Sequence, residues 1–277
     1  MPVSPIEHIK IQKISPGKIT QREDKVAVEE PLEIQLTFST ATGQLQKNIA
    51  VTMRTPGNDK ELVAGFLFTE GIIKNASAIQ DIKPAHGDKN SILVILKENM
   101  IPVLGNAARN FYTTSSCGVC GKASIDAIST ISQFTSEEDS MNINEQVLYH
   151  LQDDLSKHQT LFEETGGIHA SALFDREGKF IMLREDVGRH NALDKLIGTA
   201  FMNDQLPLKN SILFLSGRTS FELVQKAMMA GIKLIAAVGA PSSLAVELAK
   251  ENGITLIGFL RNDRFNIYSG KQRIHLS

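Results

Sequence analysis

Two cysteines, Cys117 and Cys120, are all that the 277-residue chain contains. A secreted disulfide framework needs more, so the pair is expected to be reactive or metal-binding in a reducing, cytoplasmic setting. No apolar run approaches the roughly 18 residues of a membrane span. Residues Met1 to Lys13 lack the charged-then-apolar order of a signal peptide. Charge of one sign is scarce as well. Lys and Arg number 29 against 31 Asp and Glu, a formal net charge of -2. That argues against a general nucleic-acid binder or a basic membrane-surface protein, and leaves room for a local basic site for one anion. Neither Gly-x-Gly-x-x-Gly nor a P-loop lysine motif occurs, which speaks against an ordinary NAD or ATP site.

What is present suits a folded protein of one large or two small domains: 42% hydrophobic and 22% charged residues. Residues 1–24 are polar, with Pro2, Pro5 and Pro16, and are expected to form a loose leader. Residues 25–112 read as a smaller N-terminal α+β unit. Leu32, Ile34, Leu36 and Phe38 alternate as in a half-buried strand. Gly43 marks a turn, and Leu45 to Met53 is the hairpin partner. Asn58 with Glu61 three residues on suggests a capping box for a helix that ends near Glu70, with Gly71 as C-cap. Ile92 to Leu96 is a short strand. Residues 113–140 hold the cysteine loop, a helix over 122–131 and an acidic link.

Residues 141–277 form an α/β domain. A helix is expected over Asn144 to His158. Ser211–Leu215, Leu234–Val238 and Thr255–Phe259 are apolar strands, separated by helices over Phe221–Met229 and Leu244–Lys250. That order predicts a parallel sheet, and ligands of such sheets bind outside the carboxyl ends of the strands.

The stretch Thr113-Thr-Ser-Ser-Cys-Gly-Val-Cys-Gly-Lys122 is the chemical centre. A thiol becomes a good nucleophile when a helix N-terminus or a nearby cation lowers its pKa. Three readings compete. The cysteines can be ordinary reduced residues, although a Gly-flanked, Ser/Thr-rich loop packs a core poorly. They can be zinc ligands, but zinc needs about four ligands, or three plus water. A zinc deaminase would show His-x-Glu and Pro-Cys-x-x-Cys; here residue 116 is Ser and no His-x-Glu occurs. A dithiol or persulfide function fits best.

Three loops of the last third should gather at one sheet edge: Ser216-Gly-Arg-Thr-Ser220, Gly239-Ala-Pro-Ser-Ser243 and Leu260-Arg-Asn-Asp-Arg-Phe-Asn266. Helix N-termini favour phosphate, and Arg218, Arg261 and Arg264 can add guanidinium forks. Asn262 or Asp263 can take the donors of a guanine edge. Two more polar stretches stand out. One is Glu164-Thr-Gly-Gly-Ile-His169. The other, Arg184 to Lys195, holds Asp186, Arg189, His190, Asn191 and Asp194. Arg189 and His190 are candidates to meet an anion or a thiolate, with Asp186 orienting them; solvated charges on a capped helix are the plain alternative.

Together these segments resemble the formate dehydrogenase accessory sulfurtransferase (FdhD) family. The likeness runs in order from about residue 52 to 269. It rests on Thr55-Pro-Gly-Asn-Asp-Lys-Glu through Gly71, Ser115-Ser-Cys-Gly-Val-Cys-Gly-Lys122, Thr165-Gly-Gly-Ile-His-Ala170, Glu185 to Lys195, Ser216-Gly-Arg-Thr-Ser-Phe-Glu222 and Gly258-Phe-Leu-Arg261. The resemblance implies a fold similar to cytidine deaminases without their zinc ligands, and commonly a homodimer. It implies persulfide sulfur taken from a cysteine desulfurase and passed to the bis-guanine-dinucleotide form of the molybdenum cofactor, the cargo needed by the formate dehydrogenase catalytic subunit. A guanine nucleotide is expected at the same site. By this likeness the persulfide falls on Cys117, with Cys120 assisting. The cofactor stretch falls on Phe259, Leu260, Arg261, Asn262, Asp263 and Arg264, and Ser216, Arg218, Arg189 and His190 complete the candidate set. The rival readings are a non-catalytic, cofactor-binding chaperone and a zinc hydrolase.

Overall fold

The computed structural model describes residues 4–85, 87–104, 132, 134 and 141–276. Both cysteines, the expected helix over 122–131 and most of the acidic link lie outside them.

The chain opens with an antiparallel ribbon of β1 (Ile6–Ser15) and β2 (Lys18–Ala27). This corrects the expectation of a loose leader. Pro16 and Gly17 form the turn, with Gly17 at φ 71. Pro followed by a positive-φ Gly is the chemistry of a type II turn, so these residues pair the strands instead of breaking them. The ribbon is mostly polar and exposed, and even Ile14 and Ile19 at its tip face solvent, 75% and 65% exposed.

A four-stranded sheet follows, in the order β4-β3-β6-β5, from β3 (Glu30–Thr40), β4 (Gly43–Arg54), β5 (Ile79–Pro84) and β6 (Ser91–Leu96). The alternating residues Leu32, Ile34, Leu36 and Phe38 are all buried, as the period of two requires. Helix α1 (Asp59–Thr69) leads on from β4. Its start differs from the expected capping box. Asn58 sits in the left-handed region and its side chain caps no backbone N–H; its Nδ2 reaches Glu61 Oε1 at 3.3 Å instead.

After the undescribed stretch come β7 (Ile143–Asn144), α2 (Glu145–Ser156), α3 (Thr160–Thr165), β8 (His169–Asp175), β9 (Phe180–Asp186) and α4 (Arg189–Met202). Then β10 (Ser211–Leu215), α5 (Phe221–Met229), β11 (Leu234–Ala237), α6 (Ser243–Glu251), β12 (Thr255–Gly258), β13 (Asn266–Ser269) and β14 (Ile274–His275) complete the chain. Asn144 caps α2 by accepting from Gln146 N–H at 2.8 Å. The sheet runs β13-β12-β11-β10-β8-β9. Its centre, β10, β11 and β12, is parallel as expected, and the flanking pairs are antiparallel.

Both faces of that sheet are covered. Ile212 and Phe214 share one buried cluster with Leu148, Leu151 and Leu155 of α2. Leu213 and Leu215 join the other, with residues of α4 and α5. A strand buried on both sides reads as an unbroken apolar run, which is why Ser211–Leu215 shows no alternation. The second cluster continues into Leu32, Ile34 and Leu62, so the two sheets share one core. The join is the crossing of α1 over α4. A Cβ on Gly65 would strike the Asp194 carbonyl, and one on Gly198 would strike the Glu61 carbonyl. Only glycine lets these backbones come so close.

Candidate functional site at the carboxyl edge of the sheet

The topology decides which side chains meet. β10, β11 and β12 run parallel, so the loops after Leu215, Ala237 and Gly258 leave from one edge. β8 and β9 are antiparallel to each other, and their pairing sets His169 opposite Asp186. With Leu215 opposite Ser171, that end of the pair lies at the same edge. The first turn of α4, with Arg189 and His190, starts there.

The three expected loops do converge. Thr219 N–H donates to Ala240 O at 3.1 Å, Ser242 N–H to Thr219 O at 3.0 Å, and Gly239 N–H to Gly217 O at 3.1 Å. Phe259 N–H donates to Gly239 O at 3.2 Å. The approach is tight enough that a Cβ on Gly239 would lie 2.7 Å from Arg218 N. Ser216 is used structurally: its Oγ accepts from Ala170 N–H at 2.8 Å and ties the loop to β8.

At the centre, His169 lies against Gly217, whose added Cβ would be 3.2 Å from Nδ1. Burial lowers the His169 pKa below its ordinary 6.5; Arg189 and Arg218 push the same way, and Asp186 opposes. Two guanidinium groups therefore act on one imidazole. The Arg189 Nε and the Thr219 Oγ1 are buried without a hydrogen-bond partner among the described residues. Buried polar atoms normally find partners, so such a cluster suits an anion. His190 is set differently. Its Nε2 lies 3.1 Å from Ser220 Oγ and 3.8 Å from Glu222 Oε2. Ser220 consequently does not cap α5 with its side chain. Glu222 is not among the candidate site residues, although it closes the Ser216–Glu222 motif; the structure sets it beside His190.

Asp186 does not orient Arg189 or His190 through hydrogen bonds, contrary to expectation. It pairs with Lys195 at 2.7 Å and accepts from Gly188 N–H at 2.8 Å, Thr55 N–H at 3.1 Å and Asn191 Nδ2 at 3.3 Å. Burial drives its carboxyl pKa up, and Lys195 holds it down in part.

The segment 259–264 divides sharply. Phe259 takes a positive φ of 54, an unusual backbone for an aromatic residue, and is 44% exposed. Leu260 is fully buried in the core, so its side chain is unavailable to any ligand. Arg261 Nη1 donates to Val238 O at 3.0 Å and Leu260 O at 2.7 Å. Asn262 Nδ2 is held by both Asp153 carboxylate oxygens, at 2.9 and 3.0 Å, which takes its donors away from a ligand. Asp263 and Arg264 pair with each other in solvent at 3.3 Å. Phe259, Arg261, Arg264 and Asn266 line an open groove of 280 Å³. Among the described residues no group of three His, Cys, Asp or Glu could hold a metal, and no helix is long and apolar enough to cross a membrane.

Known proteins line up with this chain over its length. A protein named sulfur carrier protein FdhD from Streptomyces avermitilis is 46% identical over 278 residues, covering 98% of this chain and 96% of its own. One of the same name from Saccharolobus solfataricus is 36% identical, covering 98% of each. A crystal structure of a candidate formate dehydrogenase accessory protein from Desulfotalea psychrophila superposes with a TM-score of 0.73 at 25% identity, covering 98% of this chain and 100% of that one. Residues 27–275 match the FdhD/NarQ family, and the chain belongs to that family.

Proposed function

We propose that this protein is a sulfur carrier for formate dehydrogenase, with Cys117 as the residue that holds the sulfur. In this reading the Cys117 thiolate attacks the outer sulfur of a persulfide on a cysteine desulfurase. The S–S bond of the donor breaks, the donor thiolate leaves, and Cys117 becomes the persulfide. The carboxyl edge holds the acceptor, a bis-guanine-dinucleotide molybdenum cofactor, as cargo. Attack by Cys120 on the Cys117 sulfur then releases sulfide to the acceptor and leaves a Cys117–Cys120 disulfide, which a thiol reductant reopens.

One observation carries the reading: the charges of Arg189 and Arg218 both bear on His169, at an edge where the Arg189 Nε and Thr219 Oγ1 are buried without a partner among the described residues. That edge suits the phosphates of a dinucleotide. The names of relatives that match over 98% of the chain support the sulfur-carrier part of the reading. Arg261 and Arg264, in the groove beside Phe259, extend the basic surface. The cytoplasm and a homodimer belong to the same proposal.

The test is maturation of formate dehydrogenase in cells whose own accessory protein has been deleted. A carrier predicts that Cys117→Ala abolishes formate dehydrogenase activity while the enzyme still accumulates. Full activity with Cys117→Ala would leave only a cofactor-binding chaperone.

A further inference from the structure

The ordered motif that begins at Thr55 supplies no cation to the carboxyl edge, yet its first residue is wired into that edge from behind. Thr55 is fully buried. Its N–H donates to Asp186 Oδ2 at 3.1 Å. Its hydroxyl accepts from Val187 N–H at 3.1 Å. Its carbonyl accepts from Lys195 Nζ at 2.8 Å. One residue of the N-terminal unit thus grips two points of the β9–α4 junction, Asp186 and Val187, and Lys195 in the second turn of α4. The end of β4 adds two more. Asn191 Nδ2 donates to Met53 O at 2.7 Å, and Thr52 Oγ1 donates to Asn191 Oδ1 at 3.1 Å.

This junction needs an outside hold. The N-cap of α4 is Gly188, which has no side chain with which to cap the helix. The amides of Val187 and Gly188, just before the helix, find acceptors in Thr55 Oγ1 and Asp186 Oδ1. The next two residues are Arg189 and His190. Where the junction sits therefore sets where the Arg189 guanidinium sits.

We propose that Thr55 is a positioning residue: through its three bonds to Asp186, Val187 and Lys195 it fixes the first turn of α4 and so the placement of Arg189 at the anion site. The inference rests on the reading of the carboxyl edge as an anion site. It gives the Thr-Pro-Gly motif a function distinct from binding. A threonine suits the task because all three of its polar groups are used, and serine offers the same three.

The experiment uses the full chain with Thr55→Val and Thr55→Ser, and inorganic pyrophosphate as the probe in calorimetry. Valine keeps the shape and removes the acceptor for Val187 N–H. Thr55→Val is expected to unfold cooperatively yet bind pyrophosphate about tenfold more weakly, the scale of one misplaced charge-assisted hydrogen bond. In the same variant the His169 titration, followed by NMR, is expected to move up toward 6.5 as Arg189 withdraws. Thr55→Ser is expected to restore both, which a merely space-filling role does not predict. Wild-type affinity and an unmoved His169 in Thr55→Val would overturn the inference and leave the anion site standing. No pyrophosphate binding by the wild type would overturn the anion site and the inference with it. If Thr55→Val does not fold, Thr55→Ala removes the same acceptor for Val187 N–H with a smaller side chain, and an unchanged affinity and His169 titration in either Thr55 variant would overturn the inference.

Discussion

Two clusters in this molecule use the same kinds of side chain to opposite ends. In the first, Lys226 of α5 lies between α1 and α4. Its Nζ is 2.9 Å from Asp194 Oδ2, 2.9 Å from Thr69 Oγ1 and 3.2 Å from Glu70 Oε1. Burial lowers its affinity for the proton, but Asp194 and Glu70 outweigh burial and its pKa is raised. Burial raises the pKa of Asp194, and Lys226 works against that rise. One cation there is shared by two carboxylates, Asp194 and Glu70. In the second, at the carboxyl edge, the charges of Arg189 and Arg218 both bear on the His169 imidazole, and the carboxylate that opposes them, Asp186, is itself bonded to Lys195. The closed cluster holds three helices together. In the proposed reading the open one takes an anion from outside. In that reading, a charge that finds a direct opposite partner inside the fold is structural, and one that does not is available for binding.

The largest effect is expected from breaking the closed cluster. Lys226→Met leaves Asp194 buried without its cation, and removing one partner of a buried pair costs about 3–5 kcal/mol. Urea unfolding measures this, and adding Asp194→Leu should recover much of the loss. Gly65→Ala comes next. Its Cβ would meet backbone of α4, and backbone yields poorly, so a loss of about 1–3 kcal/mol or more is expected in the same assay.

The open cluster should answer differently. Arg189→Gln is expected to change unfolding by about 0.5 kcal/mol or less. It should also weaken pyrophosphate binding about tenfold or more in calorimetry, since it removes a charge-assisted bond. A large loss of stability with unchanged binding would erase the contrast between the clusters.

The smallest effect concerns pH. The folded-state pKa of His169 lies below its unfolded value of 6.5. Between the two values the unfolded chain binds more protons, so stability falls as pH drops through 6.5 toward the folded value. His169→Gln should remove that slope, read as the difference in thermal midpoint between wild type and variant across pH 5 to 7.5. Anion binding should tighten over the same window, as the imidazole gains a proton.

Much of this arrangement was legible in the residues. The strand–helix alternation after Ser211 foretold the parallel centre and the convergence of its loops. The alternation from Leu32 to Phe38 foretold a buried strand face. Long-range pairing was not legible. Nothing local says that Asp186 belongs to Lys195 and Thr55 rather than to Arg189, because β4 and α4 meet only through folding. Nor does spacing show that Leu260 turns into the core, or that Asp153 occupies Asn262. The ribbon of β1 and β2 was misread because proline counted as a breaker, when Pro16 with Gly17 makes a turn.

The most direct measurement is the intact mass of the protein after incubation with a cysteine desulfurase and cysteine. A carrier predicts a gain of about 32 Da that reductant reverses and Cys117→Ala lacks. No gain with a competent desulfurase, or an equal gain in Cys117→Ala, would contradict the assignment of the sulfur to Cys117.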